Sequence, residues 1–222
     1  MSAPLIIFGT GTFSAVAFLF FKEAGIQVEA FTADADFIAA NQLETFEGRP
    51  VVPFETVEDR FSPQRFEMFV AMGYSGTNAM RTEKFLAAKG KGYRLASLIH
   101  PTACVASNVR YGENCLLLEQ VVLQPYVSIG NNVFFWTGAA IFHHTVVEDH
   151  CFIGGRSVIA GCSRIGEGCF IGTNAIIRDY IELPAKSIVG AGAVVLKSPQ
   201  YAMVHRARPA EQIAFDDWKG SI

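Results

Sequence analysis

The sequence has no excess of basic charge, no long apolar run and no paired-cysteine motif. Its 222 residues carry 18 basic and 21 acidic side chains, so no positive field exists to hold a nucleic-acid backbone. No apolar segment approaches the roughly 20 residues that cross a bilayer, and Met1 to Pro4 lacks the charged start of a signal peptide. We therefore expect a cytoplasmic protein with no membrane span and no nucleic-acid partner.

The cysteines also argue against a metal or disulfide framework. Their spacing fits no CxxC motif, and they stand among small apolar residues, so we expect reduced core residues. They are Cys104, Cys115, Cys151, Cys162 and Cys169. A chain of this length can bury a core that is large enough for stability without disulfide bonds or structural metal ions. We therefore expect no metal.

The first part of the chain, residues 1–98, alternates between strand-like and helix-like segments. Residues 5–8 form an apolar strand, Gly9-Thr10-Gly11 a turn, and the next residues a helix capped by Thr12 or Ser14 and stopped by Gly25. Further strands are predicted at 28–31, 51–52 and 68–72, and a helix at 77–89. This alternation predicts a small Rossmann-like α/β domain that resembles half of a nucleotide-binding fold.

From Val105 onward a large apolar residue recurs at every sixth position. The series is Val105, Tyr111, Leu117, Leu123, Ile129, Phe135, Ile141, Val147, Ile153, Ile159, Ile165, Ile171, Ile177, Leu183, Val189 and Val195. A helix or a simple strand has a different period, whereas a parallel β-helix of six-residue units explains this one. We predict such a β-helix over 99–200, with glycines such as Gly112 and Gly130 at its corners, followed by a tail at 201–222.

This hexapeptide pattern resembles the left-handed β-helix acyltransferases. An α/β segment with a Gly-x-Gly turn, followed by Leu98-Ile99-His100-Pro101 and then the repeats, is similar to the sialic acid O-acetyltransferase and bacillosamine N-acetyltransferase group. The resemblance implies a homotrimer with active sites between prisms. It also implies an acyl-CoA co-substrate, most simply acetyl-CoA, and a nucleotide-linked sugar whose nitrogen or oxygen is acylated.

Two histidines in the middle of the repeats are the catalytic candidates. The attacking sugar group must lose a proton, and imidazole titrates in the useful range. His143 and His144 occupy the outward places of the unit that begins at Ile141, and His143 aligns with the catalytic histidine of the resembling group. An acidic residue usually follows that histidine, but His144 stands here, so Glu148, Asp149 or a backbone carbonyl is left to orient His143.

Three segments of the α/β part are candidates for substrate binding. The resemblance implies that the glycine turn holds the nucleotide of the sugar substrate through its phosphates. The acids that follow the second strand are placed to contact its base or ribose, and a tyrosine ends the strand at 68–72, where such a fold presents its ligand crevice, so we expect it to line the sugar site. The residues concerned are Gly9, Gly11, Asp34, Asp36 and Tyr74. The two acids can equally be ordinary loop residues.

At the other end of the chain, the resemblance implies that the tail closes over coenzyme A. Arg206 and Arg208 carry forked donors suited to its phosphates. A solvated basic tail is the alternative.

Two other functions remain open. The first is a trimeric hexapeptide protein that is non-catalytic or binds zinc through His143 and His144. The second is an enzyme with interfacial zinc on three histidines, which needs His150 or another subunit because consecutive side chains are expected to point apart. Outward aromatic residues that a single prism would leave wet, such as Phe134 and Phe142, favour the trimer.

Overall fold

The structure is a computed structural model that describes residues 3–208. It consists of an α/β layer followed by a prism of short parallel strands. Within the described residues, every helix is too short or too polar to span a bilayer. The predicted division at residues 98 and 200 stays a prediction. The predicted tail lies partly outside the described residues.

The α/β layer is built on a five-stranded sheet. Its strands are β1 (Leu5–Phe8), β2 (Val28–Ala33), β3 (Thr45–Phe46), β4 (Arg49–Pro53) and β5 (Glu67–Val70), in the order β3-β4-β2-β1-β5. Its helices are α1 (Thr12–Glu23), α2 (Ala35–Asn41), α3 (Val57–Arg60) and α4 (Ala79–Gly90), with a 3-10 turn at Phe54–Thr56. The strands β4, β2, β1 and β5 are parallel, which confirms the predicted half of a nucleotide-binding fold.

The helix cap in the glycine turn differs from the prediction. Gly11, and not Thr12 or Ser14, is the N-cap residue of α1. Ser14 is buried, and its hydroxyl donates to the carbonyl oxygen of Ala71 at 3.1 Å, which joins α1 to the end of β5. The predicted stop is correct, since Gly25 follows the helix with φ +73°.

The prism has three sheets, one for each side. The first contains β6 (Leu98–Ile99), β8 (Leu116–Leu117), β11 (Phe134–Phe135), β14 (Phe152–Ile153), β17 (Phe170–Ile171), β20 (Ile188–Val189) and β22 (Val204–His205). The second contains β7 (Cys104–Val105), β9 (Val122–Leu123), β12 (Ala140–Ile141), β15 (Val158–Ile159), β18 (Ile176–Ile177) and β21 (Val194–Val195). The third contains β10 (Ser128–Ile129), β13 (Val146–Val147), β16 (Arg164–Ile165) and β19 (Glu182–Leu183).

One coil of the prism takes 18 residues, so residue n lies beside residue n + 18. Phe134, for example, pairs with Phe152 and then Phe170. The second residue of each strand points inward, and these side chains form one continuous buried core from Leu117 to Val195. The predicted β-helix and its register are therefore confirmed from Leu117 onward, whereas Tyr111, which was predicted to point inward, is 44% exposed.

The corners of the prism need backbone with positive φ, and the glycines predicted there lie two residues too early. From Asn114 to Gly192, every sixth residue has a positive φ. Gly112 and Gly130 lie before these positions. A Cβ on Gly130 would lie 2.7 Å from the backbone nitrogen of Asp149, so glycine there permits close approach of the next coil.

Two of the five cysteines and the outward aromatic residues of the first sheet differ from the predictions. Cys115, Cys151 and Cys169 are buried as expected, whereas Cys104 is exposed and Cys162 is half-buried.

The outward aromatic residues of the first sheet are covered by the α/β layer of the same chain. Phe69 stacks on Phe134 with ring centroids 5.7 Å apart. These rings therefore give no support for a trimer.

The three outer faces of the prism have different chemistry. We call the first sheet the docking face, because it carries the α/β layer. The third sheet is the polar face, where Arg164 forms an ion pair with Glu148. The second sheet is the apolar face, whose outward residues are Cys104, Val122, Ala140, Val158, Ile176 and Val194. Ile176 is 45% exposed and Val194 54% exposed, so the structure leaves this apolar face uncovered.

A buried arginine fixes the α/β layer at one edge of the docking face. Arg81 of α4 is fully buried. Its guanidinium donates to the side-chain oxygen of Asn132 at 3.1 Å and to the carbonyl oxygens of Gly73, Asn132, His150 and Cys151 at 3.1–3.3 Å. Burial lowers the pKa of Arg81 to about 9, so the side chain remains charged at neutral pH.

Candidate active site

A cavity of about 560 Å³ opens at the carboxyl ends of β1, β2 and β5. In a parallel sheet of this order, the crevice beside the first strand is where ligands bind. Four of the five predicted substrate-binding residues line the cavity, namely Gly9, Gly11, Asp34 and Tyr74. Asp36 does not line it and lies exposed in the first turn of α2.

The two glycines of the turn have different roles in shaping this cavity. Gly9 has φ +111°, and a Cβ there would lie 2.7 Å from the Ser14 hydroxyl and 3.0 Å from the carbonyl oxygen of Ala71. Glycine at this position is therefore required by the fold. A Cβ on Gly11 would meet no atom within 4 Å, so the space in front of Gly11 is open. The N-terminus of α1 faces this space and suits an anion.

The other predicted residues lie on opposite walls of the cavity. Asp34 follows β2 and forms an ion pair with Lys84 of α4 at 2.7 Å, which holds its carboxylate in place. Tyr74 follows β5, and its ring lies 4.9 Å from those of Phe152 and Phe170 on the docking face. Tyr74 therefore contacts both the cavity and the prism.

A second cavity of about 370 Å³ adjoins the first. Both are lined by Phe13 and Tyr74, and the second is also lined by Trp136, Thr137, Phe152, Gly154, Gly155, Phe170 and Thr173. Thr137, Gly155 and Thr173 lie at the corner between the docking face and the apolar face, which we call the open corner. The two cavities together form a trough that runs from the glycine turn to the open corner.

The two candidate histidines lie at the opposite edge of the apolar face, at a corner that we call the His corner. His143 and His144 are both exposed, as predicted. Contrary to the expectation that their side chains point apart, their Nδ1 atoms are 3.3 Å apart. The ring of His144 also stacks on Tyr126, with centroids 4.6 Å apart.

A glycine in the next coil makes room for the His143 ring. A Cβ on Gly161 would lie 2.7–3.0 Å from three atoms of that ring. The main chain is held as well, because the His143 amide donates to Oε1 of Gln124 at 3.0 Å. The carbonyl oxygen of His143 accepts from the amide of Cys162 at 2.9 Å. The ring position is therefore set by the coils on both sides.

The residues expected to orient His143 are engaged elsewhere. Glu148 pairs with Arg164 and accepts from the amide of Glu167 at 2.9 Å, and Asp149 accepts from the amide of Asn131 at 2.8 Å. Within residues 3–208, the hydrogen-bond partner of the His143 ring is His144.

His150 is on a third corner, between the docking face and the polar face. It is buried, and its Nδ1 accepts from the side-chain amide of Asn132 at 2.9 Å. Burial lowers the pKa of His150. It therefore does not converge with His143 and His144, so the zinc-enzyme hypothesis would need its third histidine from another subunit. This buried polar network with Arg81 was not predicted from the sequence.

Cys162 is a third potential ligand beside the two histidines. One side-chain atom from each of His143, His144 and Cys162 lies within 4.8 Å of the others. Cys162 was predicted to be a core residue. The 18-residue coil was the signal that could have found it, because 162 is 144 plus 18.

Arg206 and Arg208 lie beyond the last coil. They are exposed and follow β22, which pairs with β20 on the docking face. The structure brings neither arginine into the trough.

One chain does not bring the His corner and the trough together. Thr137 and His143 are six positions apart along the chain, a span of up to about 20 Å at about 3.3 Å per residue. The groups fit one reaction only if a neighbouring copy contributes one of them.

Comparisons with known proteins agree with this architecture. Residues 144–179 match the family model for bacterial transferase hexapeptide (six repeats), and residues 164–197 match that for the hexapeptide repeat of succinyl-transferase. The acetyltransferase domain of PglB from Neisseria gonorrhoeae is 26% identical, with a TM-score of 0.81 over 91% of this chain and 96% of that chain.

Two further structures were solved with ligands. The same PglB domain in complex with acetyl coenzyme A is 25% identical, with a TM-score of 0.80 over 92% of this chain and 96% of that one. PerB from Caulobacter crescentus, in complex with CoA and GDP-perosamine, is 28% identical, with a TM-score of 0.80 over 92% of this chain and 94% of that one. The repeats, the fold and these matches confirm the predicted resemblance to left-handed β-helix acyltransferases, and the solved structures that the chain is similar to are sugar N-acetyltransferases of the bacillosamine and perosamine group.

Proposed function

We propose that this enzyme transfers an acetyl group from acetyl-CoA to the amine of a nucleotide-linked sugar. The observation that carries the proposal is the trough, which leads from the glycine turn of a nucleotide-binding sheet onto the prism. The likeness to PglB and PerB, solved with acetyl coenzyme A and with CoA plus GDP-perosamine, supports both substrates.

In this proposal the nucleotide sugar lies along the trough. Its phosphates face the N-terminus of α1, where Gly11 leaves open space. Asp34 accepts a hydrogen bond from the base or ribose, and Tyr74 packs against the sugar. Arg206 and Arg208, at the end of the prism, bind phosphates of coenzyme A through their forked donors.

His143 is the proposed general base. The sugar amine attacks the thioester carbonyl, so that a C–N bond forms and the C–S bond breaks, and the proton of the amine passes to Nε2 of His143. The same proton then reaches the leaving thiolate and gives CoA–SH. Nδ1 of His143 donates to Nδ1 of His144 in this scheme, which leaves the Nε2 lone pair free to accept.

A homotrimer completes the proposed site. The uncovered apolar face, from Cys104 to Val194, is the surface that a neighbouring copy would bury. If three copies turn this face toward a threefold axis, the His corner of one copy lies against the open corner of the next. His143 then serves the trough of a neighbour.

The direct test is the His143→Ala variant. Turnover should fall about a hundredfold or more, with the assembly and both ligand affinities unchanged, because a general base contributes about that factor. Steady-state rates with acetyl-CoA and a GDP-linked amino sugar measure the effect. His144→Ala is the comparison and should lose less. Near wild-type turnover in His143→Ala would place the base elsewhere.

Mixing two inactive variants tests the shared site. His143→Ala lacks the base, and Gly11→Val has an obstructed trough. In randomly mixed trimers about a quarter of the interfaces pair an intact His corner with an intact trough, so activity should return to about a quarter of wild type. Absence of any recovery in trimers shown to be mixed would place both halves of the site in one chain.

A further inference from the structure

We infer that His143, His144 and Cys162 form a binding site for Zn²⁺ or a similar borderline cation, and that occupation of this site stops turnover. The second half of this inference rests on the proposed function of His143. The first half rests on geometry alone.

The geometry matches a tetrahedral ion. The Nδ1 atoms of His143 and His144 are 3.3 Å apart. Two nitrogens bound to one tetrahedral Zn²⁺ at about 2.0–2.1 Å lie about 3.3 Å from each other. Each of the three residues offers one ligand atom within 4.8 Å of the other two. A pair of imidazole nitrogens and a thiolate is also the ligand set that favours zinc over harder cations such as Mg²⁺.

The ligands are held in place by the stacking of coils. The amide of His144 donates to the carbonyl oxygen of Pro125 at 3.2 Å. The amide of Cys162 donates to the carbonyl oxygen of His143 at 2.9 Å. Tyr126 stacks on the His144 ring from the preceding coil. Cys162 is half-buried. Little rearrangement is therefore needed to bind an ion.

Metal binding is incompatible with the base role of His143. A neutral imidazole has one lone pair, and coordination through Nδ1 places the ring proton on Nε2. The atom that accepts the amine proton in the proposed reaction is then a donor. Cys162 loses its thiol proton when it binds, so each ion bound releases one proton. Three protein ligands leave a fourth position for water.

Binding is tested on the full-length protein without substrates. Cobalt(II) should give a thiolate-to-metal absorption band in the wild type, and the band should be lost in Cys162→Ser. Zn²⁺ affinity should fall at least about tenfold in Cys162→Ser and in His144→Ala, since each removes one of three ligands. Cys104→Ser, which changes the exposed cysteine at the start of the prism, should bind as the wild type does. Equal zinc affinity in wild type and Cys162→Ser would overturn the site.

Inhibition is measured separately, from initial rates. Zn²⁺ should inhibit the wild type, a chelator should restore its activity, and Cys162→Ser, compared with its own metal-free rate, should need at least about tenfold more Zn²⁺ for inhibition. Zinc bound at this site without loss of turnover would overturn the inhibitory role. Failure of the proposed function is a different result, namely full activity of His143→Ala, and it leaves the binding data unaffected.

Discussion

Replacement of Arg81 by methionine should destabilise the protein strongly although it keeps an apolar stem of similar length. Arg81 is fully buried, and its guanidinium lies over the Phe134 ring at 4.3 Å. It donates to the carbonyl oxygens of Gly73, Asn132, His150 and Cys151, and the Cys151 oxygen also accepts from the amide of Phe134. The methionine side chain offers these oxygens no donor.

The expected loss in the free energy of unfolding follows from the carbonyl oxygens that would no longer have a donor. The Cys151 oxygen keeps the amide of Phe134, whereas the other three carbonyls lose the Arg81 donor at a cost of about 1–3 kcal/mol each. Removal of a buried charge offsets part of this loss, because the charge no longer has to be desolvated. We therefore expect a net loss of about 3–5 kcal/mol in the free energy of unfolding, the range measured when a buried charged network is broken. For a chain of this size that corresponds to about 6–20 °C in melting temperature.

The assay is chemical denaturation of Arg81→Met, with the exposed Arg65→Met as control. The control should stay within about 0.5 kcal/mol of wild type, as surface substitutions do. Arg81→Lys should lie between the two, because it keeps the charge and loses the fork of donors. A loss under about 1 kcal/mol in Arg81→Met would refute the reasoning, since the carbonyls would then not depend on the guanidinium.

Three further predictions concern the trough, the buried histidine and the apolar face. Gly11→Val should weaken nucleotide-sugar binding but not acetyl-CoA binding in calorimetry, whereas Gly90→Val, equally unobstructed, should change neither. Stability should fall as pH drops below 6.5, since burial lowers the pKa of folded His150 and the unfolded chain then binds a proton that the folded chain resists. Denaturation of His150→Asn should show a flatter pH dependence, and an equal slope would contradict this. Ile176→Glu should give single chains by light scattering, because its side chain lies on the uncovered apolar face, and an intact oligomer would exclude that face as the interface.

The sequence was sufficient to predict the prism and its register. Each inward position must hold a large apolar residue, so the same requirement repeats at every sixth position from Leu117 to Val195 and is visible without any long-range information. The glycine turn was equally readable, because Gly9 adopts a backbone conformation that other residues rarely adopt. Four residues predicted for the nucleotide sugar consequently line one cavity.

The sequence does not predict in the same way which residues pack against side chains that point outward. Periodicity shows that Phe134 points out of the prism but does not show what covers it. A second copy was predicted, whereas Phe69 of the same chain lies on it. Arg81 was missed for a similar reason, since its acceptors are main-chain oxygens up to 70 residues away, and main-chain oxygens carry no sequence signal.

The difference between features that the sequence predicts and features that it does not predict explains where the chemistry of this fold lies. Inward positions are fixed by core packing, and each strand offers one outward side chain to a face. Corner residues neither fill the core nor belong to a face. The side chains that line the open corner and those that meet at the His corner are all corner residues. Because coils stack at 18-residue spacing, Tyr126, His144, Cys162 and Tyr180 form one column. A substitution at any of the four therefore changes the surroundings of His143 without removing a core contact, which lets the activity and metal affinity of this corner change while the prism stays intact.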